Sequence, residues 1–166
     1  MRARFATDAD AAAIAEIYNE GIHERAATFE TEAREAEDVH PWLGGRYPVV
    51  VVANIEGEVL GFAAAFVYRP RGCYDGVAEF SVYGRRDARR RGTGRLALEA
   101  LLAAAEARGF WKLVSRVFVE NAPSRALLAE LDFREVGVYR CHGRLDGKWR
   151  DVVIVERLLG AAASCE

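Results

Sequence analysis

The sequence predicts one α/β domain, a mixed, twisted β-sheet flanked by helices on both faces. Three observations carry that expectation. Short β-branched runs alternate with segments of helical period in the order β-α-α-β-β-β-α-β-α-β-β. The length of 166 residues suits a single core. With 51% hydrophobic and 29% charged residues, the composition is that of an ordinary globular chain.

The elements follow in order. "RARFAT" reads as a first strand. In "TDADAAAIAEIYNEGIHE", Thr7 or Asp8 caps a helix along which Ile14, Ile17, Tyr18 and Ile22 recur at helical spacing. The polar "ATFETEAREAEDVHPWLGGRYP" reads as a loop and a second, short helix. "VVVVANI" and "EVLGFAAAFVY" flank Glu56 and Gly57 as a hairpin, and "GVAEFSVYG" is the next strand. "TGRLALEALLAAAEAR" sets Leu98, Leu101, Leu102 and Ala105 on one helical face and stops at Gly109. "FWKLVSRVFV" is a central strand. "NAPSRALLAEL" is a helix capped by Asn121, with Pro123 in its first turn. "REVGVYRCHGRL" and "KWRDVVIVERLL" surround Asp146-Gly147, a strong hairpin signal. The domain is expected over 1–159, and the end, 160–166, is expected to fray.

Cys73, Cys141 and Cys165 are widely spaced, with no C-x-x-C pair and no histidine at zinc spacing, so free thiols and no metal are expected. "MRARFATDAD" lacks a signal peptide's apolar stretch, and no apolar run approaches the ~18 residues that span a membrane. A cytoplasmic protein without a membrane partner is the expectation.

Chemistry concentrates in "RRDARRRGTGRLALEALLAAAEARGF", residues 85–110, whose first eleven residues hold six arginines and a Gly-x-Gly. Glycines at a helix entrance let an anion approach unpaired backbone N–H groups and the positive end of the helix dipole. The net charge is −2, so the basic cluster is local, which favours a discrete anion site over a nucleic-acid surface. A solvated basic loop is the plainer alternative. "GTGRLA" satisfies G-x-G-x-x-A, and Glu120 lies where a dinucleotide fold places its ribose acid. There, however, the first glycine directly follows a strand, whereas "RRDARRR" intervenes here. A Walker loop needs G-K-[ST], and this chain has Gly94-Arg95-Leu96.

Arg89-x-x-Gly92-x-Gly94, after a strand ending "SVYG" and before an amphipathic helix, resembles the Q/R-x-x-G-x-G/A signature of the GCN5-related N-acetyltransferases (GNAT). The likeness covers nearly the whole chain. It implies the GNAT fold and acetyl-CoA as cosubstrate. The backbones of Val82, Tyr83 and Gly84 would hold the pantetheine arm. Arg89, Arg90, Arg91, Gly92, Thr93, Gly94 and Arg95 would form the pyrophosphate loop, assisted by Asn121 and Ser124. Asn121 as a simple helix cap is compatible with that role.

Within the superfamily, "IYNEGI", "ATFETE", "CYDGVAEFSVY", "GFWKLVSRVFVENA" and "REVGVYRCHGRLDGKWRDVVIVERLL" resemble the phosphinothricin and methionine-sulfone N-acetyltransferases, and most of all the arsinothricin N-acetyltransferases. The likeness implies acetylation of the α-amine of a glutamate-like toxic amino acid, which confers resistance, by an enzyme that is commonly a homodimer. A free α-ammonium must lose a proton before it can attack, and Glu79 is the matching general base. Glu79 shares its strand face with Ser81 and Tyr83, as a polar cleft wall would require, and a backbone amide near Val82 is the oxyanion donor. Tyr68, Arg69, Arg71 and Tyr74 of "YRPRGCY" offer cations and rings to an anionic acceptor, and Phe29, Glu30 and Ser81 join them. Leu128 occupies the position where many relatives place a tyrosine acid, so the acid is unassigned. His142 and Lys148 flank the last hairpin and are read as surface residues. Rival functions are acetylation of a polyamine or a protein N-terminus, and a silent CoA-binding module. No G-x-S-x-G or serine-histidine-acid set supports a hydrolase.

Overall fold

A computed structural model describes residues 1–165. The strands are β1 (Arg2–Phe5), β2 (Val49–Ala53), β3 (Val59–Val67), β4 (Val77–Gly84), β5 (Lys112–Phe118), β6 (Arg134–Leu145) and β7 (Lys148–Leu158). The helices are α1 (Ala11–Glu24), α2 (Ala36–Val39), α3 (Thr93–Ala107) and α4 (Ala122–Glu130). This is the order that the sequence predicts.

The strands form one sheet in the order β1-β2-β3-β4-β5-β7-β6. Every neighbouring pair is antiparallel except β4 with β5. α3 and α4 cover one face, where Leu98, Leu101, Leu128 and Leu131 pack with Ala63, Phe80, Val117 and Val153. Burying each such leucine contributes about 2 kcal/mol. α1 and α2 cover the other face, where Ile14, Ile17 and Val39 meet Val51, Phe62 and Ala64.

Local chemistry fixes the ends of these elements. Arg4 reaches both carboxylate oxygens of Asp10, at 2.7 and 2.8 Å, and the Thr7 amide donates to the same carboxylate at 2.8 Å. That cluster pins β1 to the start of α1. Asp146 and Gly147 both take positive φ, 49° and 76°, as a tight two-residue hairpin between right-twisted strands requires. The second helix is a single turn continued by a 3-10 turn at His40–Trp42. Where the sequence suggests fraying, Gly160–Ser164 form a 3-10 turn after the buried Leu159; Glu166 lies outside the described residues. No helix is long and apolar enough to cross a membrane, and no cluster of three or more metal-ligating side chains occurs, among the described residues.

Candidate active site

The one parallel pair in the sheet is also its shortest partnership for strands of this length. β4 and β5 pair only at Val77↔Lys112, Ala78↔Leu113 and Glu79↔Val114, although β4 continues to Gly84 and β5 to Phe118. Beyond Glu79 the Ser115 hydroxyl donates to the Phe80 carbonyl at 2.9 Å, a side chain standing in for the ladder. The Arg85 amide donates to Leu60 on the β3 side, and the Trp111 amide donates to Gly76 from the β5 side. Strand alternation then turns the main-chain groups of Val82 and Gly84 toward the opening. The Gly84 carbonyl accepts from Arg89 Nε at 3.2 Å, while the Val82 amide faces the opening itself.

The arginine loop is built largely from ion pairs. Arg86 and Arg89 bind Glu24 at the end of α1, at 3.0 and 2.9 Å. Burial pushes the Glu24 carboxyl up, but these hydrogen bonds outweigh it and hold the group below the usual carboxylate range. Arg85 pairs with Asp87, and Arg95 with Glu99 and Glu130. Among the described residues, the side chains of Arg90 and Arg91 make no hydrogen bond or close ion pair. Gly92 has φ +82°, and a Cβ there would meet nothing within 4 Å. The first bond of α3 runs from Leu96 N to Gly92 O, so the amides of Thr93, Gly94 and Arg95 lie ahead of it, unclaimed by the helix. The Thr93 side chain itself is buried and donates to Ala88 O at 3.1 Å, leaving only its amide for a ligand. Gly94 serves packing, since its Cβ would sit 3.2 Å from Leu127 of α4.

Where β4 and β5 part, a cavity of about 530 Å³ connects the two faces of the sheet. On the α4 side its walls are Val82, Val117, Asn121, Ser124 and Leu128. Asn121 Oδ1 accepts from the Ser124 amide at 3.2 Å, so it is a helix cap as well as a cavity residue. On the α1 side the walls include Tyr18, Thr28, Phe29, Glu30, Phe66, Glu79, Ser81, Tyr83 and Arg116. Phe29 packs edge-on against Phe118 at 4.8 Å and lies over Gly143, where a Cβ would come within 2.7 Å of the ring. Glu30 is held by Arg34 at 2.9 Å. Tyr83 stacks on Phe62 and meets Tyr18 edge-on at 5.0 Å. Burial pushes both phenols up, so they remain protonated donors through neutral pH.

Glu79 projects into the α1 side of the cavity and is 32% exposed. Arg116 Nη2, from β5, lies 2.8 Å from one of its oxygens and 2.9 Å from the other. The structure therefore brings together Glu79, Ser81, Val82, Tyr83, Asn121, Ser124, Phe29 and Glu30. It does not bring in the loop "YRPRGCY". Tyr68 and Tyr74 pack edge-on at 5.4 Å, the Arg69 guanidinium lies over the Tyr68 ring at 5.2 Å, and neither these residues nor Arg71 line the cavity. His142 is exposed, packs on Tyr139 and stands at the cavity edge, while Lys148 is exposed on the last hairpin.

Sequence reasoning missed Arg116, Tyr18, Thr28 and Phe118. A signal for Arg116 was present: a lone arginine interrupts the apolar run "LVSRVFV" in a central strand, where a charge needs a partner.

Residues 13–133 match the model of the Acetyltransferase (GNAT) family. The chain is 32% identical over 165 residues to phosphinothricin N-acetyltransferase of Streptomyces coelicolor, covering 96% of each chain. It is 32% identical over 152 residues to L-methionine sulfoximine/L-methionine sulfone acetyltransferase of Pseudomonas paraeruginosa, covering 89% of this chain and 88% of that one. Among solved structures, a GNAT superfamily phosphinothricin acetyltransferase from Sinorhizobium meliloti in complex with AcCoA is similar at a TM-score of 0.90 and 30% identity, over 99% of this chain and 90% of that one.

Proposed function

As this chain belongs to the GNAT acetyltransferase family, we propose that it moves the acetyl group of acetyl-CoA onto the α-amine of a glutamate-like toxic amino acid, conferring resistance. The acceptor's side chain ends in a tetrahedral oxyanion or sulfone, of the phosphinothricin, methionine sulfone or sulfoximine, or arsinothricin type. The names of the relatives support the acceptor class. The observation that carries the reading is the cavity through the β4–β5 opening, with an anion cradle and a strand amide on one side and a carboxylate on the other.

The residues present fit acetyl-CoA. The open space above Gly92 and the amides of Thr93, Gly94 and Arg95 suit a pyrophosphate, with Arg90 and Arg91 as adjacent cations. The main chain of Val82 and Gly84 suits a pantetheine amide, and Asn121 and Ser124 flank the same passage. When bound, acetyl-CoA supplies the thioester that the amine attacks. The Val82 amide, aimed into the opening, is a preorganised donor for negative charge developing on the carbonyl oxygen. Glu79 takes the ammonium proton, directly or through a water, so that a neutral amine attacks. Leu128 fills the wall where a hydroxyl acid would stand, and a thiolate is a good enough leaving group to depart without one.

The acting form is a cytoplasmic homodimer that needs neither nucleic acid nor membrane. Val136, Val138, Tyr139 and Trp149 are exposed on the β6–β7 end of the sheet, where β6 is a twelve-residue edge strand, and a second copy would cover them.

The test is CoA release from acetyl-CoA with phosphinothricin, methionine sulfone, methionine sulfoximine and arsinothricin as acceptors, beside spermidine and a short peptide. Turnover confined to the amino acids supports the proposal. A preference for the polyamine or the peptide overturns the acceptor class, and no turnover of any amine overturns the enzyme reading.

A further inference from the structure

Glu79 and Arg116 stand on the two strands whose divergence opens the cavity, and they face the same side of the sheet. Arg116 is 46% exposed, and Glu79 is its one ion-pair partner among the described residues. The contact uses Nη2 alone, shared between the two carboxylate oxygens, and leaves Nε and Nη1 without a hydrogen bond among the described residues. Nothing in the packing of β5 calls for a cation: Leu113, Val117 and Phe118 around it are buried in apolar clusters. Among the described residues Arg116 is also the one arginine that lines the cavity; Arg69 stands outside the lining, though near enough to feel the charge of Glu79.

An α-amino acid presents an ammonium and a carboxylate on the same carbon, the mirror in charge of this pair. We propose that Arg116 binds the acceptor's α-carboxylate while Glu79 receives its α-ammonium, so that the ion pair is a template for a zwitterionic head group. The inference rests on the amino-acid acceptor reading above and names the residue that enforces it. Docking the zwitterion replaces one ion pair by two and leaves no charge uncompensated. The planar guanidinium, with two nitrogens unused, suits a carboxylate through parallel hydrogen bonds. The same exchange draws Arg116 away from Glu79, which then faces the N–H bond it must break, the proton passing to a carboxylate oxygen and the electron pair staying on nitrogen. A polyamine or a peptide N-terminus has no carboxylate at that carbon and would leave Arg116 without a counter-charge.

The test compares methionine sulfone with its carboxamide, which keeps the amine and loses the carboxylate charge. Hydrogen bonds to a charged group correspond to about 10–100-fold in a binding constant. Wild-type kcat/KM is expected to favour the acid by about that factor. Arg116→Gln should collapse the acid-over-amide ratio toward one, mainly through KM for the acid, with the acetyl-CoA Kd held, and Arg116→Lys should restore part of the ratio. Equal losses on acid and amide, or an acid preference that persists in Arg116→Gln, overturns the proposal. A wild-type enzyme that acetylates both acceptors equally overturns it while leaving an amino-acid amine acetyltransferase in place. Turnover of neither, with turnover of a peptide or polyamine, overturns the acceptor reading and this inference with it.

Discussion

Replacing Gly92 by alanine and by aspartate separates the backbone role of the anion cradle from its electrostatic role. At φ +82° any side chain costs about 1 kcal/mol of backbone strain, and no neighbour lies within 4 Å to add a clash. Both variants bear that cost. The aspartate also puts a negative charge at the N-terminus of α3, which stabilises the helix by about 0.3–1 kcal/mol. Gly92→Asp should therefore melt no lower than Gly92→Ala. Toward a bound pyrophosphate the same charge has the opposite sign. At roughly 5 Å, with an effective dielectric between about 20 and 80, two unit charges repel by about 1–3 kcal/mol, or roughly 5–200-fold in affinity. Calorimetric titration with acetyl-CoA should show that deficit for Gly92→Asp relative to Gly92→Ala, shrinking as salt rises. If the two variants bind acetyl-CoA alike, the pyrophosphate does not sit at this helix entrance.

Two further substitutions test how the scaffold holds the site. Hydrogen bonds from Arg4 hold the buried Asp10 carboxyl below the usual range, so its contribution to stability is present above the unfolded value near ~3.9 and is lost as pH falls through the folded value. Asp10→Asn should cost about 2 kcal/mol at pH 7 in chemical denaturation, with the wild-type and variant curves converging under acid; a constant gap down to low pH would refute the pairing argument. Gly61→Ala would place a Cβ 2.7 Å from Thr93 Cγ2 and 2.9 Å from the Tyr83 carbonyl, so a loss of about 1–3 kcal/mol is expected together with weaker acetyl-CoA binding, because Thr93 opens α3. Unchanged melting and affinity would show that β3 does not set the position of the cradle.

The fold was legible because its signals are local. Asp146-Gly147 demands a tight hairpin, Asn121 caps its own helix, and the leucines of α3 declare one buried face. The place of Glu79 on the cavity wall was legible through its strand alternation. For Arg116 the lone charge in an apolar strand was legible but its partner was not, because that partner depends on two strands parting after three paired positions, and no residue within β5 records that separation. "YRPRGCY" offers cations and rings by composition, but the mutual packing of Tyr68, Tyr74 and Arg69 on the loop, beside the cavity wall and not in it, depends on loop geometry that no periodicity records. Thr93 sits within a glycine-rich anion loop by sequence, yet the close approach of Gly61 turns its side chain inward, a contact between positions far apart in the chain.

The pH dependence of kcat for Glu79→Gln tests most directly the proposed removal of a proton by Glu79 from an amine held beside acetyl-CoA. General-base catalysis contributes about 10²–10⁴-fold, so kcat at neutral pH should fall within that range while the acetyl-CoA Kd stays nearly constant. Toward alkaline pH the deficit should narrow, because solvent then delivers an amine already deprotonated. A Glu79→Gln enzyme with wild-type kcat across the neutral range, or with a deficit that does not change with pH, would contradict the account and remove Glu79 from proton transfer.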